Sequence, residues 1–349
     1  MQLTAFTTKI RSEFLQAQAK WVGQGGQPYE KYTFTCQSTA RNELYNYLSA
    51  TPQFKRWRGY RQFANVDQAN YLIPNLEYSG EFQVRLRDVQ DDQTGGYAML
   101  PQELVAKTQI FPNILTQATL ANGDQSGFNC LDGLTYFNAA HTYGGQSGNN
   151  VGNNIISGTA STSDGVHHRM IVMVIGGQSS SMIKPIVYQV RKPATELMTD
   201  AGTPQSNMDK MIRYWTDCEL GVGFGNWWDA ILVNFVNTPT LADLLTTFTN
   251  VEARLRDFVF PKALPTDPDQ FVHANLVMTP ESTMCMSSSA LAPLVRQVLA
   301  PGGGQIQLIT TNTGSAVTNF YTGLMFYMPS PYLNVNSSGV PAAPPSSLN

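Results

Sequence analysis

Apolar and polar positions alternate over residues 82–87, where Phe82, Val84 and Leu86 interleave with Gln83, Arg85 and Arg87. A period of two marks a strand with one apolar face. A second strand-like run, NYLIPNLEY, occupies 70–78, and Ser79-Gly80 between the two predicts a hairpin over 69–89. Pro74 has no N–H for a ladder, which puts the first run at an edge or a bulge. A lone hairpin is marginal in water. Its apolar face therefore calls for a cover, expected from a neighbouring copy of the chain. From Gly96 the period changes: Tyr97, Leu100, Leu104, Phe111, Leu115 and Ala118 recur at helical spacing. Pro101 suits a first turn and Gly123 a C-cap position, and Pro112 is expected to kink or split the helix.

The same reading carries along the rest of the chain. Residues 1–22 predict a short helix with Ile10 and Phe14 on one side, broken by GQGGQP at 23–28, and the segment reads as an arm outside the core. Ser38 suits the N-cap of a predicted helix over 38–49. Residues 128–141, FNCLDGLTYFNAAH, read as two short strands about an Asp132-Gly133 turn. Residues 142–166 form a Gly/Ser/Asn/Thr stretch expected to have little structure of its own. Strands are predicted at 169–175 and 183–192, and a long bent or glycine-broken strand pair at 211–236. The clearest helix spans 239–258, opened by Pro239, with Leu241, Leu244, Leu245, Phe248, Val251, Leu255 and Phe258 as its buried stripe. A strand at 273–279, a helix at 280–299, strands at 305–311 and 319–328 and a tail from 335 complete the order. The class is α+β.

Composition narrows the function. The chain has 349 residues, 42% hydrophobic and 13% charged, with a net charge of −3. That length fits two lobes or one elongated domain. Low charge with abundant small polar residues suits a surface covered by partners, as well as a β-rich secreted protein. There is no basic excess of the kind a phosphate-gripping groove needs. Cys36, Cys130, Cys218 and Cys285 form no CxxC pair or metal-ligand spacing, so reduced thiols and no metal or cofactor are expected. The N-terminus lacks a continuous apolar h-region, and no apolar run is long enough for a bilayer, so no membrane contact is expected.

The chemistry-bearing residues give no active site. No GxSxG, HExxH, P-loop or GxGxxG is present. The glycines of GVGFGN at 221–226 are read as a bulge or a close backbone approach. Adjacent His167 and His168 would point to opposite faces of a strand and chelate poorly. His141 and His273 stand alone and read as hydrogen-bonded structural residues. Asp88, Asp91 and Asp92 follow the alternating run and read as a solvated or salt-bridged connection rather than a facing carboxylate pair. Lys55, Arg56, Arg58 and Arg61 alternate with Trp57, Tyr60 and Phe63. That pattern suits nucleic acid or, preferably here, a protein interface. Arg58, Arg61, Arg85, Arg87, Asp88, Asp91 and Asp92 are thus the candidate inter-subunit contacts.

Arm, projecting hairpin, long helix and mixed remainder together resemble the Hong Kong 97 capsid fold. RDVQDDQTGGYAMLPQEL at 87–104, CLDGLTYFNAAH at 130–141, IKPIVYQVRKP at 183–193 and GVGFGNWWDAILVN at 221–234 are similar to segments of the Mu-like phage major head subunit (gpT-like) family. The resemblance is good over about 35–236 and rests on element order beyond. It implies an N-terminal arm at 1–35, the start of a peripheral region at 36–57 and an extended hairpin loop at 58–93. It further implies a peripheral domain at 94–238 with a spine helix at 97–121, an axial domain at 239–328 and a tail at 329–349. It also implies a major capsid protein that self-assembles into hexamers and pentamers of an icosahedral shell. The partners implied are a portal, scaffold or decoration proteins, and double-stranded DNA held by non-specific contact. Some relatives weld subunits through a lysine of the extended loop, whereas here no lysine lies between Lys55 and Lys107. The competing reading is another β-rich phage component, such as a tail protein or adhesin; an enzyme ranks behind both.

Overall fold

The computed structural model describes residues 3–22, 27–45, 59, 71–91, 96–141, 152–176, 184–257, 278–279, 281–299, 307–310, 316–319, 321 and 324–341. In chain order the helices are α1 (Leu3–Val22), α2 (Leu86–Asp91), α3 (Met99–Ala121), α4 (Pro204–Asp209), α5 (Leu241–Asp257) and α6 (Ala292–Leu299). The strands are β1 (Thr33–Gln37), β2 (Asn42–Tyr45), β3 (Tyr71–Pro74), β4 (Leu76–Arg85), β5 (Ile155–Ser157), β6 (His168–Val174), β7 (Ile186–Lys192), β8 (Met198–Thr199), β9 (Met211–Phe224), β10 (Ala230–Phe235), β11 (Thr283–Ser287), β12 (Gln307–Thr310), β13 (Ala316–Asn319) and β14 (Phe326–Pro329).

Two five-stranded sheets organise these elements. The first runs β1-β7-β9-β4, with β8 also on β9. Its axis is β9, whose first ten residues pair with β4 and whose last six pair with β7. The second runs β14-β11-β6-β10-β5. Every residue of β6 and β11 is buried, as expected of central strands covered on both faces. The main core lies on this second sheet, where Leu244, Phe248, Val251 and Leu255 of α5 and Val295 and Val298 of α6 meet Ile171, Met173 and Ile231. A separate core joins Phe6, Ile10 and Phe14 of α1 to Leu104 and Val105 of α3, Val84 and Ile212. The C-terminal end of α3 belongs to the first core and its N-terminal half to the second, so this helix ties the two together.

Several sequence expectations change here. The hairpin is absent: β4 runs straight through Ser79-Gly80 and pairs with β9 from Leu76↔Leu220 to Arg85↔Met211, while β3 pairs with β2. Gly80 is needed for close approach rather than for a turn. A Cβ there would lie 2.8 Å from Leu104 Cδ1, so the bare backbone lets α3 settle on the strand. The apolar face of β4 is consequently covered by its own chain. Val84 is buried, and Phe82 stacks on Tyr214 at 5.0 Å. Alternation stops at Arg85, because Leu86 opens α2. The N-terminal segment is docked rather than free: Phe6, Ile10 and Phe14 are buried, and Gln18 Nε2 donates to Ala194 O at 2.8 Å. The expected boundary at residue 35 also falls inside β1.

The predicted helix at 38–49 is replaced over 42–45 by β2. The Glu43 carboxylate accepts from Thr39 N at 2.8 Å, Ala40 N at 3.1 Å and Ser38 Oγ at 3.0 Å, forming a local turn in place of a helix start. Residues 283–287, read as helix, are β11; all five are buried, the polar Thr283 and Ser287 included, so their polarity does not report burial and gives no period to separate strand from helix. The low-complexity stretch contains β5, which pairs in parallel with β10, and Asn154 just before it is fully buried. The tail expected from 329 begins later, since Leu333 is buried in the main core. The long helix is continuous through Pro112. Strand 273–279, except for its last two residues, and Phe258 lie outside the described residues.

Residues 241–257 fold as the sequence predicts, and α5 begins with a reciprocal cap. Thr240 N donates to Asp243 Oδ2 at 2.9 Å, and Asp243 N donates back to Thr240 Oγ1 at 3.3 Å. The same carboxylate accepts from Ser161 N at 2.8 Å, which ties the 158–165 segment to the helix. Burial pushes the Asp243 carboxyl up, but hydrogen bonds from Ser161 and Thr240 outweigh it and leave the group below its ordinary range. A carboxyl lowered by folding stabilises the fold above its unfolded value, about 3.9, and that contribution is lost as pH falls through the folded value. Asp243→Ala is expected to cost about 1–2 kcal/mol at neutral pH, the range for a lost cap. Urea unfolding of wild type and variant at several pH values measures this. The gap should be constant above about pH 5 and shrink in acid; a gap that widens in acid contradicts it.

Candidate functional site

Two features outside ordinary packing are available: an exposed charged edge and a buried polar cluster. The edge contains four of the seven expected contact residues. Arg85 is the last residue of β4 and is exposed. The next residue, Leu86, donates its N–H to Lys210 O at 2.9 Å, fixing α2 beside the end of α4. On α2, Arg87 Nε lies 3.7 Å from Asp91 Oδ2, with 89% and 74% of the two side chains exposed. Asp88 is half-buried in the first turn of the same helix. The structure therefore joins Arg87 with Asp91 and sets Arg85 and Asp88 close by in sequence. Arg58, Arg61 and Asp92 lie outside the described residues. An ion pair this exposed is worth about 0–1 kcal/mol to the lone subunit. The edge's charge is thus free to be used against a partner at little cost to folding.

The buried cluster is built on the Asp132-Gly133 turn. Cys130 N donates to Leu134 O at 2.8 Å and Gly133 N to Cys130 O at 3.0 Å, so the turn closes as predicted, although its flanks reduce to a single Asn129↔Thr135 bridge. Asp132 Oδ1 accepts from Leu134 N at 3.1 Å and from the Cys130 thiol at 3.0 Å. Asp132 Oδ2 lies 2.7 Å from His141 Nδ1, and His141 Nε2 lies 3.1 Å from Tyr136 O. The imidazole stacks on Trp227, with centroids 4.3 Å apart and planes within 6°. Asn154 completes the scaffold: its Nδ2 donates to Tyr136 O at 2.8 Å and Trp227 O at 3.1 Å, and its Oδ1 accepts from Asn138 N at 2.8 Å.

The electrostatics of this cluster follow from burial. Burial and the neighbouring Asp132 charge drive the Cys130 thiol far up, so it stays protonated and unreactive as a nucleophile. Burial also pushes Asp132 up, but hydrogen bonds from His141, Cys130 and Leu134 N–H hold it below the ordinary carboxylate range. Cys130, Asp132 and His141 offer ligand atoms all within 4.8 Å of one another. The sequence read His141 as a structural, hydrogen-bonded residue, which it is, but gave no sign of this grouping. The one legible signal was the Asp-Gly turn, which brings back a chain that places His141 beside Asp132.

With this geometry in place, comparison with known proteins defines the class. The fold matches that of a solved phage shell: the bacteriophage JBD30 capsid superposes with a TM-score of 0.64 at 18% identity, covering 89% of this chain and 92% of that one. The JBD30 procapsid gives 0.63 at 19% identity, covering 93% and 97%. The α+β architecture is the Hong Kong 97-like capsid fold. The family model for the Mu-like prophage major head subunit gpT matches residues 3–255, and the chain belongs to that family. Among curated relatives, the Mu-like prophage FluMu major head subunit of Haemophilus influenzae is 27% identical over 200 residues, and the major capsid protein of Escherichia phage Mu is 25% identical over 207. These alignments cover 57% and 59% of this chain and 63% and 66% of the two relatives.

Proposed function

We propose that this chain is the major head subunit of a tailed double-stranded DNA phage, the repeating unit of an icosahedral shell built from its hexamers and pentamers. The observation that carries the reading is the family match over residues 3–255 on a chain with a capsid fold. A tail component or adhesin is not favoured by these relatives. The virion is the expected location, and no described helix is long and apolar enough to cross a membrane. The role is structural and non-enzymatic. A portal, scaffold or decoration proteins and the packaged DNA are the further partners, with DNA held through non-specific contact suited to a chain of net charge −3. In this reading α3 is the spine helix, 58–93 the extended loop, 94–238 the peripheral domain and 239–328 the axial domain. Negative-stain microscopy of the purified protein tests the proposal. Uniform polyhedral shells are expected; rods or small discrete particles would overturn it.

The charged edge and the residues beyond it, Arg58, Arg61, Arg85, Arg87, Asp88, Asp91 and Asp92, are proposed as subunit contacts. The double variant Arg85→Ala, Arg87→Ala is expected to leave the subunit's unfolding free energy within about 0.5 kcal/mol of wild type, as for surface substitutions. Assembly yield in sedimentation should fall, because a small loss recurs at every contact. Normal yield with normal stability would remove these two residues from the interface.

The shell is also expected to lack covalent links through the extended loop. An isopeptide bond needs a lysine amine, and 58–93 contains arginines but no lysine; a guanidinium stays protonated and attacks poorly. None of the four cysteines lies there either. Denaturing, reducing electrophoresis of mature particles should give one band near 38.4 kDa, whereas a ladder that survives boiling contradicts the expectation.

A further inference from the structure

We propose that Cys130, Asp132 and His141 form a binding site for one divalent transition-metal ion of the zinc class, a property independent of the shell function. Thiolate, imidazole and carboxylate are the donor types such an ion prefers, and here all three ligand atoms lie within 4.8 Å of one another.

The hydrogen bonding favours a shared cation at this point. His141 Nε2 faces the Tyr136 carbonyl at 3.1 Å, an acceptor only, so that nitrogen carries a hydrogen. The other nitrogen, Nδ1, is aimed at Asp132 Oδ2 at 2.7 Å, and Cys130 Sγ lies 3.0 Å from Asp132 Oδ1. Three electron-rich atoms thus converge, held apart from mutual repulsion only by the thiol proton and the proton between ring and carboxylate. One metal ion replaces both protons, which leave to solvent, and binding therefore strengthens as pH rises. The Nε2–H donated to a backbone carbonyl is the outer-shell contact that orients a metal-bound imidazole.

The site is also built and reachable. Trp227 stacked on His141 fixes the ring, and the Leu134 N–H fixes the carboxylate. The Asp132 side chain is 7% exposed, and among the described residues nothing lies within 4 Å of the Cβ position of Gly133 at the turn tip, so the cluster lies one residue from solvent. Asp132 lies at hydrogen-bond distance from both partners, and the Cys130, Asp132 and His141 ligand atoms are all within 4.8 Å of one another. Metal bonds of about 2.0–2.3 Å set ligand atoms about 3.3–3.6 Å apart, so the carboxylate has to withdraw slightly from both partners and the thiol and imidazole have to settle to a similar spacing.

The test uses the full chain, stripped with chelator, incubated with cobalt(II) as a spectroscopic probe near pH 8 and desalted. Wild type is expected to retain about one equivalent per chain, to show a near-ultraviolet thiolate-to-cobalt band and to unfold at higher temperature. Cys130→Ser, which keeps a hydroxyl donor for Asp132, should fold and lose both metal and band. His141→Gln should do the same, and if it fails to fold the serine variant alone decides. Failure of wild type to retain metal would show a proton-held staple and overturn the proposal. Equal retention by Cys130→Ser would place the ion elsewhere and overturn it equally.

Discussion

Asp124→Leu is expected to destabilise the unassembled subunit by about 3–5 kcal/mol, the cost of breaking a buried ion pair from one side. Arg169 on β6 is 5% exposed. Its guanidinium is held by both carboxylate oxygens of Asp124, with Nη1 3.0 Å from Oδ1, and Nη1 also donates to Ala121 O at 3.2 Å. That contact locks the end of α3 onto the second sheet. Without Asp124 the guanidinium stays in the core with no counter-charge among the described residues, and its Nε already has no acceptor among them. The converse change, Arg169→Leu, should cost less, because the Asp124 side chain is 16% exposed and can turn to water. The double variant Asp124→Leu, Arg169→Leu should recover part of the loss, since two apolar groups replace a pair that was costly to desolvate. Urea unfolding of the three variants measures this. Equal losses from the two single changes, or a loss below about 0.5 kcal/mol from Asp124→Leu, would contradict the assigned role.

Gly221→Val is the second large effect. The β2–β3 ribbon crosses β9 at Gly221, where a Cβ would lie 2.8 Å from the Pro74 carbonyl oxygen, 2.6 Å from Gln189 Oε1 and 2.9 Å from Asn75 Oδ1. One of these atoms is backbone. The other two belong to buried amides whose nitrogens are committed, Gln189 Nε2 to Tyr45 OH at 2.6 Å and Asn75 Nδ2 to Ser38 Oγ at 2.6 Å. No neighbour yields cheaply, so even alanine overpacks the crossing and valine more so, at about 1–3 kcal/mol or above. Gly176→Ala is the matched control, because nothing among the described residues lies within 4 Å of its Cβ position. Thermal unfolding should separate the two clearly. A valine variant as stable as the control would mean that the ribbon does not rest on β9.

Much of the fold was legible because long periodic segments report their own burial. The stripe on α5 and the spacing along α3 are set by one face against a core, and a period carries that directly. The errors have a common origin in non-local contact. Ser79-Gly80 has the composition of a turn, and only the approach of Leu104 from α3 explains the glycine. Residues 283–287 are buried on both faces although Thr283 and Ser287 are polar, so the order of polar and apolar residues there does not report burial. The N-terminal helix was read correctly as a helix, yet its docking depends on α3, far along the chain. The candidate contacts were legible as charge, and Arg87 and Asp91 do pair on α2. Cys130, Asp132 and His141 were not legible as a group, because the turn and the packing on Trp227 assemble them.

The most direct test of the central claim is a cryo-electron microscopy map of particles assembled from this chain. A shell subunit requires a closed icosahedral lattice of hexamers with pentamers at the vertices, each position filled by one copy with α3 and the two sheets in place. A helical tube, a flat ring or a particle whose lattice is made by another protein would contradict it.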